Sequence, residues 1–219
     1  MKYNALFLSL AVMMSGSEAF ASDTAEDDVK VINGCRIEVA SQCPKADLRN
    51  QDLSNLDMRR MNLEGADLRG ANLSHSKLDL ANLETAKLNG ANLTRATLQQ
   101  TLLRQADFTD ANMQAINGWA MYAQAAKFNN ADLRGASLDF ARISASKLQN
   151  ANLEAASLEM TFMNKVDLKD ANLKNANMQE VKLAGANLAG ADLTGSLLRF
   201  SNFQGANMDG CTACPTGWD

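Results

Sequence analysis

The sequence predicts an all-β solenoid, a chain wound into short extended pieces separated by corners. Three observations predict it. From Leu48 to Met208 every fifth residue is Leu, Met, Phe or Ile in 31 of 33 consecutive units, Gly118 and Ala123 being the exceptions. Two residues earlier the chain carries Ala, Ser, Thr or Val in 28 of the 33 units. Two residues later glycine recurs, at Gly65, Gly70, Gly90, Gly135, Gly185, Gly190, Gly195, Gly205 and Gly210. A period of five fits neither the 3.6 of a helix nor the 2 of a strand, so the chain has to turn once per unit. Glycine, Asn, Asp and Ser are the residues that make such corners at low steric cost. A strict period of this length marks stacked repeats.

The elements follow in chain order. Residues 1–21 read as a secretory signal: Lys2 supplies the positive start, Ala5 to Met14 the apolar stretch, and Ala19-Phe20-Ala21 an A-x-A cleavage site. The apolar run is too short to span a bilayer, so no stable membrane insertion is expected after cleavage, and the exported chain starts at Ser22. The destination is the periplasm or the exterior. Residues 22–45 read as an N-terminal capping segment. It is acidic at first (Asp23, Glu26, Asp27, Asp28), turns at Asn33-Gly34, and offers a strand-like Arg36-Ile37-Glu38-Val39. An open solenoid end is an unpaired strand edge, and a cap blunts it.

Residues 46–210 are the repeat itself. Units such as Ala66-Asp67-Leu68-Arg69-Gly70 and Ala91-Asn92-Leu93-Thr94-Arg95 put the small and the large apolar residue inward and three polar residues outward. These units resemble the pentapeptide repeat family, A(D/N)LXX. The resemblance implies a right-handed quadrilateral parallel β-helix with four units per coil. Eight coils at about 4.8 Å each then give a rod on the order of 40 Å long. The first coil is atypical, with Gln51, Leu56 and Met61 at the small position, as terminal repeats are expected to be. In Ile116-Asn117-Gly118-Trp119-Ala120-Met121-Tyr122-Ala123 the two inward sizes are exchanged. Swapped volumes would keep the core filled; a local bulge is the rival explanation. Phe108 and Phe128 fall in one inward column and read as a stacked core pair.

Residues 211–219 read as a C-terminal cap, with Trp218 as a lid. The four cysteines form two local pairs, one at each end of the rod, and cross-pairing between the ends is out of disulfide reach. Export favours the disulfides Cys35–Cys43 and Cys211–Cys214. Free thiols, a metal site and redox use of Cys211-Thr212-Ala213-Cys214 are the alternatives; a C-x-x-C motif without a following helix is a weak redox signal.

Little points to an enzyme, a cofactor or a metal. The single histidine, His75, sits at an outward corner, and the carboxylates recur because the repeat demands them. The resemblance brings one known activity, mimicry of DNA by acidic members that protect or inhibit gyrase. That needs a strong negative field, whereas residues 46–210 carry 18 acidic and 17 basic side chains. Nucleic-acid binding finds no basic stripe either.

Folding the outward residues onto columns twenty apart gives one informative edge. One column holds Leu80, Phe140, Met160 and Phe200, and its neighbour holds Leu102, Tyr122 and Phe162, with Trp119 beside them. An exposed apolar patch marks a contact surface. The partner-binding residues expected are Leu102, Trp119, Tyr122, Phe140, Met160 and Phe162, for an unidentified protein partner or a homodimer. Packing of the edge under residues 22–45, or a tolerated irregularity, is the alternative. The chain thus reads as a non-enzymatic exported scaffold, ahead of a DNA mimic and of a cryptic redox or hydrolytic protein.

Overall fold

The computed structural model describes residues 29–217. The expected signal segment, the acidic residues Asp23 to Asp28 and Trp218 lie outside them. Parallel bridges join residues twenty apart without a slip, from Gln42↔Asn62 to Asp192↔Thr212. Four units therefore close one coil, and the architecture is the right-handed quadrilateral β-helix.

Each unit settles its own backbone polar groups, and this explains its residue pattern. In Ala66-Asp67-Leu68-Arg69-Gly70 the Asp67 N–H donates back to Ala46 O at 2.9 Å, while Leu68 and Gly70 donate forward to Lys87 O at 2.7 Å and Asn89 O at 3.1 Å. The corner closes when Ala71 N–H donates to Leu68 O at 3.0 Å. One N–H is left, that of Arg69, and it donates to Asp67 Oδ1 at 3.3 Å. An Asp or Asn at the second position is thus the acceptor that completes the account. The corner residue has φ near +60° at every unit, as in Gly70 (+66°) and His75 (+58°), the mark of a type II turn.

The two inward positions form one continuous core from Ile32 to Phe203. Phe108 and Phe128 stack at 5.0 Å and 4° within it. Where the small position carries a hydroxyl, the proton finds a carbonyl: Thr101 Oγ1 donates to Leu78 O at 2.9 Å, Thr161 Oγ1 to Leu138 O at 2.8 Å and Ser146 Oγ to Ala123 O at 2.6 Å.

The exchanged units contain no bulge. Gly118 N–H still donates to Ser137 O at 2.7 Å and Ala123 N–H to Arg142 O at 2.8 Å, in the ordinary register. A Cβ on Gly118 would stand 2.9 Å from both Met121 Sδ and Leu138 Cδ2. The missing volume of Gly118 is filled by Met121 from the next unit, not by its own Ile116 alone.

At the N-terminal end, β1 (Val31–Ile32) and β2 (Cys35–Arg36) form a two-stranded antiparallel hairpin. Asn33 and Gly34 both have positive φ, as a two-residue hairpin of type I′ requires. The strand expected over Arg36–Val39 ends at Arg36. Ile37 N–H donates to Lys30 O, and the chain then turns through Ser41 N–H to Glu38 O to enter the first coil. Cys35 and Cys43 are joined at 2.09 Å, and Cys211 and Cys214 are joined across a four-residue loop at the other end.

Candidate functional site

One corner of the rod breaks the local rule that governs the others. Its residues are Arg60, Leu80, Gln100, Ala120, Phe140, Met160, Glu180 and Phe200, each at a φ between +54° and +62°. That region favours glycine or Asn, and bulky side chains enter it at a cost of about 1–2 kcal/mol. The other three corners share all nine repeat glycines; this one has none, nor any Asn or Asp. Instead it carries Leu80, Phe140 and Phe200, whose side chains are 47%, 45% and 68% exposed.

The adjoining face is the column Asn82, Leu102, Tyr122, Arg142, Phe162 and Lys182, linked successively by parallel bridges. The Arg142 guanidinium lies over the Tyr122 ring at 5.2 Å and over the Phe162 ring at 5.9 Å, a cation between two aromatic faces. Arg104 approaches the same tyrosine at 6.0 Å. On the corner itself Trp119 and Phe140 meet at 6.0 Å with planes tilted by 60°. Of the six expected residues, Trp119, Phe140 and Phe162 are exposed, whereas Leu102, Tyr122 and Met160 are half-buried. They form one strip, and no described residue of the N-terminal segment covers Trp119, Phe140 or Phe162. Val39 reaches the N-terminal end of this edge, where with Arg59, Arg60, Asp79, Leu80, Gln99 and Gln100 it lines a cleft of about 500 Å³.

Four acidic neighbours of the strip, Asp57, Asp79, Glu84 and Asp139, are engaged within the rod. Asp79 accepts from Gln99 N–H at 2.8 Å and Thr97 Oγ1 at 2.8 Å. Asp139 accepts from Glu159 N–H at 3.0 Å and Ser157 Oγ at 2.5 Å. Glu84 holds Arg104 at 2.9 Å, and Asp57 holds Arg59 at 2.6 Å, which lowers the Asp57 carboxyl below its ordinary range. Gln124 Oε1, on the same coil as Tyr122, is shielded and accepts no hydrogen bond.

A family profile described as pentapeptide repeats matches in eight copies, over residues 42–79, 66–105, 86–117, 122–154, 146–183 and 176–212. The chain belongs to the pentapeptide repeat family. Among solved structures it is similar to HetL, a pentapeptide repeat protein involved in heterocyst differentiation regulation from Nostoc, at 29% identity, TM-score 0.34, over 78% of this chain and 84% of that one. QnrB1, a plasmid-mediated fluoroquinolone resistance protein, matches at 20% identity, TM-score 0.46, over 80% and 90%. A pentapeptide repeat protein from the Arabidopsis thaliana thylakoid lumen matches at 24% identity, TM-score 0.19, over 73% and 66%. No curated protein matches.

In this pentapeptide repeat protein the aromatic column was legible from the period alone. The role of Arg142 was missed, although it falls in the same column between Tyr122 and Phe162 and the same arithmetic finds it. Arg60 and Val39 were missed for a different reason: the cleft they line depends on the path from β2 into the first coil. Leu197, in the bridged column of the face that precedes this corner, is a further exposed apolar residue at 56%.

Proposed function

We propose that this pentapeptide repeat protein is a non-enzymatic, exported interaction module and that the strip from Trp119 to Phe162 is its protein-binding surface. One observation carries the reading: on a single corner, bulky apolar residues occupy left-handed positions where the rest of the rod places glycine, alanine or polar residues, and they remain exposed there. Local preference and burial both oppose that choice, so a contact made outside the chain is its physical rationale. The two cysteine pairs, joined at the two ends, fit an oxidising compartment.

DNA mimicry is disfavoured by the charge arrangement. Asp47, Asp57, Asp67 and Asp132 each hold the arginine two residues on, at 2.6–2.7 Å. Pairs of this kind cancel the field that a duplex surrogate needs.

The test compares proteins copurifying from the exported fraction with the wild type and with a Phe140→Asp/Phe162→Asp variant of matched circular dichroism. A partner, or a second copy, retained by the wild type and lost by the variant is expected. Identical profiles would remove the strip as an interface.

A further inference from the structure

The two ends of the rod differ in how their backbone edges are met. At the N-terminal end, carbonyls of the first coil are taken. Asn33 Nδ2 donates to Asp47 O at 2.8 Å, and Lys30 Nζ donates to Asp52 O. Ala40 N–H donates to Arg59 O at 2.9 Å and Cys43 N–H to Asn62 O at 2.8 Å. The hairpin and the segment after it thus supply donors that a preceding coil would otherwise provide.

At the C-terminal end one face stays open. Within the rod, Leu197 N–H donates to Ala176 O at 3.0 Å and Met178 N–H donates to Leu197 O at 2.9 Å. Ser196 O and Leu198 N–H hold the positions of Ala176 O and Met178 N–H one coil on, and neither has a partner among the described residues. The described tail, Pro215 to Gly217, lines a cleft with Ala206 to Asp209, two units further round the coil on the opposite face. An unpaired edge of this kind is a template for another strand. Apolar exposure coincides with it: Leu197 and Phe200 are exposed, and Leu198 is only half-buried.

The edge is complementary to itself. An antiparallel pairing with Leu197 opposite Leu197 joins Ser196 O of each copy to Leu198 N–H of the other. It also sets the Phe200 corner of each copy over the Gly195 corner of the other, bulk against a residue without a side chain. We propose that the edge Ser196–Leu198 is the interface of a closed homodimer, two rods joined end to end about a two-fold axis through Leu197. A two-fold contact uses each C-terminal edge once, and the occupied N-terminal end stops the assembly at two copies. This contact is separate from the strip between Trp119 and Phe162 and does not rest on the reading of that strip.

Sedimentation velocity over a concentration series of the protein purified from the exported fraction tests the dimer. The wild type is expected to dimerise reversibly. Leu197→Lys sets like charges opposite each other on the axis and should weaken the dimer roughly tenfold. Leu197→Cys reads the register. In a non-hydrogen-bonded pair the two Cα atoms lie about 4.5 Å apart, within disulfide reach, so mild oxidation should cross-link two copies. The four native cysteines are already bonded, which leaves the introduced thiol to react. Asn177→Cys lies one coil further in, on the same bridged column, and should not cross-link, because its two copies stand roughly 14 Å apart. A monomer at every concentration, a Leu197→Lys dimer as tight as the wild type's, or equal cross-linking through Asn177→Cys would each overturn the proposal. Phe140→Asp/Phe162→Asp should still dimerise. Loss of the dimer in that variant, with retention in Leu197→Lys, would put the second copy on the strip and remove it from this end.

Discussion

A left-handed corner occupied by phenylalanine is a local conflict that the chain tolerates because each coil fixes its neighbours. Phe140 has φ of +60° and Phe200 of +62°. Phe200→Gly should therefore raise stability by about 1 kcal/mol, since glycine enters this region without the Cβ penalty. Phe140→Gly gains the same relief and loses the ring contact with Trp119, so its melting temperature should stay close to wild type while partner retention falls. Chemical denaturation paired with the copurification assay checks both, and a large loss of stability in Phe140→Gly would make that residue structural. Gly118 is the opposite case, a position where volume rather than φ dictates the residue. Gly118→Ala places a Cβ 2.9 Å from Met121 Sδ and Leu138 Cδ2 and should cost about 1–3 kcal/mol. The double variant Gly118→Leu/Met121→Ala puts the ordinary sizes at positions 118 and 121, moving the volume from Met121 to the residue it packs under, and should recover most of that loss in urea unfolding.

At the scale of the element, the pentapeptide is a hydrogen-bonding unit before it is a packing unit. Its extended part is one bridged residue per side, and the Asp or Asn side chain takes the N–H that the coil cannot. Amides also chain between coils, as Asn72 Nδ2 donates to Asp52 Oδ1 at 3.0 Å and Asn92 Nδ2 to Asn72 Oδ1 at 3.2 Å. The inward phenylalanines depend on each other in the same stacked manner. Phe128→Ala should cost about 3–5 kcal/mol, because the coils above and below hold the backbone open and the cavity cannot collapse. Phe128→Leu, the residue of most other units, should cost much less. Equal losses in thermal unfolding would show that ring stacking, not volume, is what the pair contributes.

For the whole molecule the contacts are quasi-one-dimensional, each coil touching only its neighbours, so the ends govern fraying. Cys35–Cys43 ties the β1–β2 hairpin to the first coil, and Cys35→Ser/Cys43→Ser should lower the unfolding midpoint and release amide exchange first in residues 31–62. Uniform exchange across the rod would contradict that order. Acid acts through the paired carboxylates. The Arg49 guanidinium bonded to Asp47 lowers its carboxyl to about 2, and the Thr194 hydroxyl and N–H, with Lys174, lower that of Asp192 to about 2, against an ordinary 3.8. A carboxyl depressed in the folded state contributes stability that is present above its unfolded value and lost as pH falls through its folded value. Stability should therefore decline as pH falls from about 4 toward 2. Asp47→Asn/Asp192→Asn should flatten that decline, which a pH series of melting temperatures would register.

The period by itself determined the solenoid, the inward columns from Leu48 to Met208, and the aromatic strip. These are legible because a coil of constant length turns sequence distance into spatial adjacency: residues twenty apart become neighbours whatever their chemistry. Tertiary structure decided what that arithmetic does not carry. Whether Ile116 to Ala123 bulges depends on Met121 reaching under Gly118 from the next unit. Which arginines stay charged toward solvent depends on side-chain reach, since Arg134 folds back to Asp132 while Arg142 has two rings and no carboxylate beside it. The cleft at Arg60 depends on the aperiodic path from β2 into the first coil, where no repeat fixes the geometry.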